Sequence, residues 1–379
     1  MNILALSAAY PSPREPYRAR SLHLMFKTLP KEHRITMLTP LVFRSDPKYQ
    51  DLNGIRVLRY PFASVSRRPK FSTNFAGMVS YNLNAFLYAL KETLKIRPKL
   101  VYANWVIPFG AIAAAISRFF GIPYILHIHG IDFHKYTSPP FGTIWKRTIK
   151  RALTVFSAGE YLKAKSELRF SCKVQNAGLV VDMELIEQYK KVADLRSQLK
   201  IKNEDIVCLF CSDVAQSKGA DTLYEAAKLL TFRCPEFLFI FIGEGPLRKH
   251  ISNNISSRIK VLGSLPPEIA LKYFACADVF ALPSHSEGLP PTLVEALAAG
   301  AVPITTDVGD CPNLITDGST GFLIPPRNVN ALLSRLILLH KKEVRTKMQN
   351  EVRQRKPYLA VLNAASNWKQ RMLEILQTL

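Results

Sequence analysis

The chain has 379 residues, 48% of them hydrophobic, and this length exceeds what one hydrophobic core usually fills, so two domains are expected. Its formal charge of +22 is uneven, because residues 1–200 hold 31 Lys and Arg against 12 acidic residues, while residues 201–379 hold 20 against 17. Such a field attracts anionic partners, but nucleic acid is not expected, since no helix-turn-helix, zinc-finger or RNA-recognition motif occurs.

The cysteines and the long uncharged runs indicate the cellular compartment of the protein. The six cysteines follow no regular spacing and lie in or beside apolar segments, so they are predicted to be reduced and mostly buried. No secretory signal is recognised. The uncharged run at residues 71–90 contains asparagines, and the run at residues 100–117 contains an asparagine, a proline and a glycine, so neither resembles a membrane-spanning helix. A cytoplasmic protein is expected.

Short apolar strands alternate with helices in both halves of the chain. Strands are predicted at residues 2–7, 35–39, 55–60, 100–103, 124–128 and 153–157, and again at 207–210, 237–242, 259–262, 279–282 and 302–305. Helices are predicted near residues 22–29, 74–94 and 110–120. This alternation predicts an α/β fold of two doubly wound, Rossmann-like domains that face a central cleft, with ligands at the carboxyl ends of the strands.

The predicted domain boundaries follow from where the alternation stops and starts again. The first domain is expected over residues 1–182, a polar linker over 183–204 and the second domain over 205–359. The C-terminal helix, residues 360–379, is expected to pack back on the first domain.

A loop and a helix are predicted over residues 283–300, directly after an apolar strand. Pro290-Pro291 suits the first helical turn and Gly300 suits the C-terminal cap. A helix start directs backbone N–H groups and a partial positive charge at the loop, which favours a phosphate group. The backbone amides expected to donate to the phosphate group are those of Gly288, Leu289, Thr292 and Leu293.

Two glutamates flank this helix start. Glu287 lies in the loop and Glu295 on the helix, where both are placed to accept hydrogen bonds from sugar or ribose hydroxyls. The alternative is an ordinary loop glutamate and a solvated helix glutamate, since such a spacing also arises by chance.

Around these glutamates, a series of short motifs resembles the nucleotide-sugar domain of the retaining GT-B glycosyltransferases, of the family 4 or group 1 type that includes sucrose synthase and bacterial phosphatidylinositol mannosyltransferase. The first half is similar chiefly at Tyr102-Ala103-Asn104 and at His129-Gly130-Ile131-Asp132. In the second half, over residues 206–325, the matching motifs are Lys218-Gly219-x-Asp221, Gly243-Glu-Gly-Pro246, Ala277-Asp278-Val279, Pro283-Ser284, Glu287-Gly288, Glu295-Ala296, Val308-Gly309 and Asp317-Gly-x-Thr-Gly321.

The resemblance implies a role for each matching residue. Glu287 and His129 are implied to contact the donor sugar as catalytic residues, Glu295 the ribose and Lys218 the diphosphate, while the base meets the backbone near Val261 and Leu262. The implied reaction is a front-side substitution with retention. The chain has no Asp-x-Asp, so a diphosphate held by a metal is not expected, and no cofactor is expected either. The alternative for His129 is a core histidine or one that only supports a residue in contact with the ligand, and a further alternative is that His127 and His129 bind a metal with His134 as the third ligand.

Two positions depart from the family pattern. Asp213 stands where an arginine is usual, and Asn313 replaces a glutamate. We expect Arg18 or Arg20, in the long loop after the first strand, to supply the missing positive charge, because arginine suits bidentate phosphate contacts.

Basic segments in the first half predict contact with an anionic membrane surface. Basic residues beside apolar anchors are typical of a peripheral helix at an acidic leaflet, and the alternative is a solvated basic face over ordinary core. The predicted contact residues are Arg67, Arg68 and Lys70, before a long apolar helix, and Lys146, Arg147, Lys150 and Arg151 beside Trp145, which is taken as an interfacial anchor.

The sequence therefore predicts a cytoplasmic glycosyltransferase, peripheral to the inner face of the membrane, that uses a UDP- or GDP-type hexose donor. The expected acceptor is a hydroxyl of a lipid-linked or cell-envelope glycan. The alternatives are a degenerate GT-B subunit that binds glycan or nucleotide without transfer, motivated by Asp213 and Asn313, and a GT-B epimerase.

Overall fold

The computed structural model describes residues 1–63, 75–130, 141–253 and 256–379. The chain divides into two compact units, the first comprising Met1–Val180 with Leu362–Leu379 and the second Val181–Val361. In the described part of the chain, no helix is both long enough and apolar enough to span a bilayer.

The first unit is built on an eight-stranded sheet with the order β3-β4-β2-β1-β5-β6-β7-β8. β3 and β4 are antiparallel, and the other neighbours are parallel. The strands are β1 (Asn2–Leu6), β2 (Arg34–Pro40), β3 (Tyr49–Leu52), β4 (Ile55–Tyr60), β5 (Leu100–Asn104), β6 (Tyr124–Ile128), β7 (Thr154–Ser157) and β8 (Gln175–Asn176). The helices are α1 (Arg20–Lys27), α2 (Phe75–Ile96), α3 (Ala111–Phe120), α4 (Phe141–Arg151), α5 (Glu160–Phe170) and the C-terminal α15 (Leu359–Thr378).

Both faces of this sheet are buried, which explains its continuously apolar strands. Successive residues of β1 point to opposite faces, so Leu4 and Leu6 join a core that includes residues of α2 to α5, while Ile3 and Ala5 join a core with α1 and α15. Trp368 of α15 is 1% exposed and belongs to the second core. Truncating such a residue to alanine costs about 3–5 kcal/mol, so α15 is a structural part of this unit.

The second unit is built on a fully parallel six-stranded sheet with the order β11-β10-β9-β12-β13-β14. Its strands are β9 (Ile206–Cys211), β10 (Phe237–Ile242), β11 (Ile259–Gly263), β12 (Val279–Leu282), β13 (Val302–Thr306) and β14 (Phe322–Ile324). Its helices are α6 (Met183–Lys190), α7 (Leu195–Gln198), α8 (Ala220–Thr231), α9 (Arg248–Asn253), α10 (Pro267–Cys276), α11 (Pro291–Ala299), α12 (Cys311–Leu314), α13 (Val329–His340) and α14 (Lys342–Arg355).

The two sheets confirm the predicted α/β class with two Rossmann-like halves. The segment predicted as a linker, residues 183–204, contains α6 and α7 and belongs to the second unit, where Ile186 and Leu195 are buried. The antiparallel β3 and the short β8 and β14 were not expected from the sequence. β3 is polar, with exposed or half-buried residues only, and β8 and β14 have two and three residues, too few to show a period.

Candidate active site

The loops at the carboxyl ends of β9, β12 and β13 lie directly against one another, and glycines permit this approach. A Cβ on Gly219, whose φ is +70°, would lie 2.0 Å from the carbonyl oxygen of Pro283. A Cβ on Gly309, with φ +60°, would lie 2.4 Å from the carbonyl oxygen of Gly288, which also accepts a hydrogen bond from the amide of Asp310 at 2.8 Å. Side chains on these loops therefore share one site.

An ion pair between Lys218 and Glu287 lies at the centre of these loops. Nζ of Lys218 is 2.8 Å from both carboxylate oxygens of Glu287, and the two side chains are 27% and 8% exposed. Oγ of the buried Ser284 donates to Oε1 of Glu287 at 2.7 Å, and the Ser284 carbonyl accepts from Oγ1 of Thr306 at 2.5 Å. Glu287 is thus fixed from two sides.

This pair is the main electrostatic feature of the site. A lysine ammonium has three N–H donors, so Lys218 can serve an anionic ligand while keeping a bond to Glu287. Burial, followed by the charge of Glu287, raises the pKa of the neighbouring Cys311 thiol to about 12, so this thiol is neutral at physiological pH. The motifs predicted that Lys218 and Glu287 lie in one site. They include Pro283-Ser284 but did not indicate that Ser284 is a hydrogen-bond partner of Glu287.

The helix start beside the pair has the expected caps. α11 begins at Pro291, and Gly300 closes it with φ +90°. Among the described residues, the amides of Gly288 and Leu289 have no hydrogen-bond partner, whereas that of Leu293 donates to the carbonyl of Pro290 at 3.1 Å. Leu293 therefore offers no amide to a ligand, contrary to expectation, because the first turn of the helix already uses it.

The other predicted donor-site residues lie around these loops. Thr292 is in the first turn of α11, and the half-buried Glu295 is one turn further on. Burial, followed by the charge of Glu295, raises the pKa of the Cys211 thiol at the end of β9. Val261 and Leu262 lie on β11, at one edge of the sheet, and a contact between their backbone and the base stays a prediction.

The residues predicted to set the charge balance at the diphosphate lie in different units. Asp213, in the second unit, is exposed, and its carbonyl accepts from the amide of Ala215 at 2.8 Å. In the first unit, Nη1 of Arg18 pairs with Oε2 of Glu15 at 2.7 Å, and Arg20 is the first residue of α1. A contribution of Arg18 or Arg20 to diphosphate binding stays a prediction.

A second polar cluster, in the first unit, surrounds His129 at the carboxyl ends of β5 and β6. Nε2 of His129 lies 3.4 Å from Oδ1 of Asn104, whose amide nitrogen donates to the carbonyl of Leu6. Nε2 is therefore the protonated nitrogen and Nδ1 the hydrogen-bond acceptor. Burial lowers the pKa of His129 to about 4, so the imidazole is neutral at physiological pH.

Two aromatic rings hold His129 in place. The Trp105 and His127 ring centroids lie 4.7 Å and 4.5 Å from that of His129. Trp105 has φ 68° and ψ 137°, a conformation that residues other than glycine rarely adopt and that costs about 1–3 kcal/mol. Its backbone is fixed by hydrogen bonds of 3.0 Å to the His127 carbonyl and from the Gly110 amide. Sequence reasoning missed Trp105, although it follows the quoted Tyr102-Ala103-Asn104.

The predicted membrane-contact residues have mixed outcomes. Trp145 is fully buried and stacks on Phe170 at 5.1 Å, so the prediction of an interfacial tryptophan is wrong, because this face of α4 packs into the core. The exposed side of α4 carries Lys146, Arg147, Lys150 and Arg151. Arg67, Arg68 and Lys70 lie outside the described residues, as do Ile131, Asp132 and His134. Over the described ranges, no three His, Cys, Asp or Glu side chains are grouped as metal ligands.

The two Rossmann-like units, with the lysine–carboxylate pair at a helix start in the second, define a chain of the GT-B glycosyltransferase fold class. Residues 191–355 match the family model "Glycosyl transferases group 1", and residues 19–169 match the "Glycosyl transferase 4-like domain". Together the two matches support the GT-B glycosyltransferase family, of the group 1 and family 4 type, that the motifs predicted.

Several known proteins resemble most or all of the chain. A protein of Bacillus subtilis named "Putative teichuronic acid biosynthesis glycosyltransferase TuaC" is 28% identical, over 88% of this chain and 87% of its own. The alpha-D-kanosaminyltransferase of Streptomyces kanamyceticus is 23% identical, over 80% and 86%. Among solved structures, sucrose-phosphate synthase from Thermosynechococcus elongatus has a TM-score of 0.78 at 18% identity, and HepE from Anabaena, in complex with UDP and glucose, has 0.71 at 18%; each comparison covers 100% of both chains.

Proposed function

We propose that this protein transfers a sugar from a nucleoside-diphosphate donor to a hydroxyl acceptor with retention at the anomeric carbon. The observation that supports it best is the ammonium of Lys218, held 2.8 Å from both oxygens of Glu287 beside the start of α11. A fixed cation, a carboxylate and helix-start amides are what a diphosphate and an attached sugar require. The UDP bound by HepE supports a donor of the UDP type, with GDP as the alternative.

The proposed reaction uses these groups without a metal. The bond between the anomeric carbon and the phosphate oxygen breaks, and its electron pair stays on the diphosphate. Lys218 and the amides of Gly288 and Leu289 stabilise the developing charge. The acceptor oxygen bonds to the same face of the anomeric carbon, and its proton passes to the departing phosphate oxygen. Glu287 and Nδ1 of His129 accept hydrogen bonds from sugar hydroxyls, and Glu295 accepts from the ribose.

For the acceptor, we propose a lipid-linked or cell-envelope glycan. The relative from Bacillus subtilis is named a putative teichuronic acid biosynthesis glycosyltransferase, and this name supports an acceptor of that class. The basic balance of residues 1–200 suits an acceptor that carries phosphate or carboxylate groups.

Release of nucleotide from a panel of UDP-, GDP- and ADP-sugars tests the transfer. With the donor that the wild type uses, Lys218→Ala and Glu287→Gln are each expected to lower kcat/KM by at least about 100-fold, the effect of losing one preorganised charge partner. The matched controls are Lys228→Ala and Glu225→Gln, which change an exposed ion pair of 2.7 Å on α8 and are expected to leave kcat/KM within about twofold.

Unchanged activity in folded Lys218→Ala and Glu287→Gln proteins would refute the site. Nucleotide binding without transfer or hydrolysis for any donor would instead favour the degenerate binding subunit. A change in the configuration of the free nucleotide sugar, without transfer, would favour the epimerase.

We also propose that the first unit docks on an anionic membrane from the inner face of the cell. An apolar stripe runs along α2, where the exposed fractions of Phe75, Met78, Val79, Leu83 and Leu87 range from 47% to 78%. Such a stripe, in a unit with excess basic charge and with four basic residues on α4, suits insertion among acidic headgroups.

Co-sedimentation with vesicles tests the docking. Leu83→Glu is expected to reduce binding to vesicles of phosphatidylcholine with about 30% phosphatidylglycerol, because it places a negative charge in the stripe. Leu229→Glu is the matched control, since Leu229 lies in the second unit and is 52% exposed, against 53% for Leu83. Equal binding of both variants and the wild type would contradict the proposal.

A further inference from the structure

A buried hydrogen-bond chain links the C-terminal helix to the histidines of the first unit. Nε1 of Trp368, on α15, donates to Oη of Tyr102 at 3.0 Å, and the same oxygen lies 3.0 Å from Nδ1 of His127. Tyr102 is fully buried, Trp368 is 1% exposed and His127 is 2% exposed. The ring of His127 in turn stacks on that of His129, with an interplanar angle of 25°.

The donors and acceptors in this series of hydrogen bonds determine which atoms carry the protons. An indole nitrogen only donates, so Oη of Tyr102 accepts from Trp368. Burial raises the pKa of Tyr102 above its usual range, so the phenol keeps its proton. Among the described residues, the remaining partner of this hydroxyl is Nδ1 of His127, which therefore accepts. Burial, followed by the nearby His129, lowers the pKa of His127, so the ring is neutral and carries its one proton on Nε2.

We propose that Trp368, Tyr102 and His127 are positioning residues that hold the ring of His129 for glycosyl transfer. The inference rests on the proposed function, in which Nδ1 of His129 accepts from a sugar hydroxyl. His127 supplies a surface of fixed orientation against His129, because its own ring is locked by the hydroxyl of Tyr102. Trp105 supplies a second such surface.

The arrangement gives α15 a role in the chemistry as well as in the fold. Trp368 occupies one lone pair of the Tyr102 oxygen and so directs the hydroxyl proton toward His127. Tyr102→Phe removes the donor to Nδ1 and keeps the ring, whereas Trp368→Phe keeps this donor and removes the directing N–H together with part of the buried indole ring. The expected order of effects is therefore Tyr102→Phe larger than Trp368→Phe.

The direct test is the tautomer of His127, measured in full-length protein labelled with ¹⁵N-histidine by long-range ¹H–¹⁵N correlation of the ring nitrogens. The wild type is expected to show a protonated Nε2 and an unprotonated Nδ1 for His127. Tyr102→Phe is expected to shift the ring nitrogens of both His127 and His129 and to lower kcat at least about tenfold, with the donor KM within about threefold.

Two matched variants separate positioning from simple packing. Tyr124→Phe removes a buried hydroxyl that donates to the carbonyl of Thr148 at 2.6 Å, and Trp145→Phe alters a buried tryptophan on α4. Both are expected to leave the His129 signals and kcat unchanged.

A wild-type His127 protonated on Nδ1 would overturn the inference, and so would a folded Tyr102→Phe protein with unchanged His129 signals and kcat. If Tyr102→Phe does not fold, the wild-type tautomer and the Trp368→Phe signals still decide. Failure of the proposed function appears separately, as absence of transfer with every donor while the tautomer result stands.

Discussion

Glu287 and a bound diphosphate compete for the same ammonium, and this predicts an unusual effect of Glu287→Gln. A phosphate oxygen held by Lys218 at about 3 Å would lie within about 6 Å of the Glu287 carboxylate, since Nζ is 2.8 Å from both carboxylate oxygens. Two like charges at that separation repel by about 3 kcal/mol at an effective dielectric constant of about 20, and by half as much at about 40.

Removing the carboxylate charge should therefore tighten nucleotide binding while it abolishes transfer. We expect Glu287→Gln to bind the free nucleoside diphosphate about tenfold more tightly than the wild type, which corresponds to about 1.4 kcal/mol. Lys218→Ala is expected to bind it at least about 100-fold more weakly, because the cation is lost and the carboxylate stays. Isothermal titration calorimetry with UDP and GDP measures both, and Glu225→Gln on α8 is the control. Weaker nucleotide binding by a folded Glu287→Gln protein would refute this reasoning.

Three further predictions concern stability and the hydrogen bonds of the site. Ser284→Ala is expected to cost about 2 kcal/mol in denaturant unfolding and about tenfold in kcat, because Glu287 loses a buried donor, while Ser334→Ala, at an exposed hydroxyl on α13, should change neither. Gly219→Ala should lower the melting temperature far more than Gly318→Ala. Both glycines have φ near +70°, but only at Gly219 would the Cβ meet a carbonyl oxygen. Equal shifts in melting temperature would contradict the close packing of the loop at Gly219. The pKa of His129 is about 6.5 in the unfolded chain and about 4 in the folded protein, so the unfolded chain binds more protons between these pH values. The neutral ring, which faces Asn104, Trp105 and His127, therefore contributes its full stabilisation above about pH 6.5. This contribution to the free energy of unfolding is lost as the pH falls toward 4. His129→Gln should therefore flatten the fall in melting temperature between pH 6.5 and 4.5, and an unchanged slope would count against the burial of this ring.

The fold was predictable because both sheets are buried on both faces. Runs such as Phe237–Ile242, in which all six side chains are buried, have no polar face and are easily recognised as central strands. β3 was missed because it is a polar edge strand, defined by its pairing with β4 and by no apolar pattern of its own. The membrane role assigned to Trp145 was wrong because the sequence shows that an aromatic residue neighbours basic residues but not which side of the helix faces the core.

The candidate site was predictable where its residues are close in sequence. Glu287 and its helix start were recognised from local spacing, whereas the bond from Ser284 to Glu287 depends on the bend of the loop. The hydrogen bond from Trp368 to Tyr102 joins residues that are 266 positions apart in the sequence, and no local sequence pattern indicates such a contact. The strain at Trp105 is likewise a property of the folded backbone, since φ cannot be read from residue type alone.

The most direct test of the account is a crystal structure with the nucleoside diphosphate that raises the melting temperature most among UDP, GDP and ADP. In this structure we expect a terminal phosphate oxygen about 3 Å from Nζ of Lys218 and within hydrogen-bond distance of the Gly288 or Leu289 amide, with ribose hydroxyls on Glu295. A nucleotide bound elsewhere, with the pair of Lys218 and Glu287 undisturbed and remote from any phosphate, would contradict it.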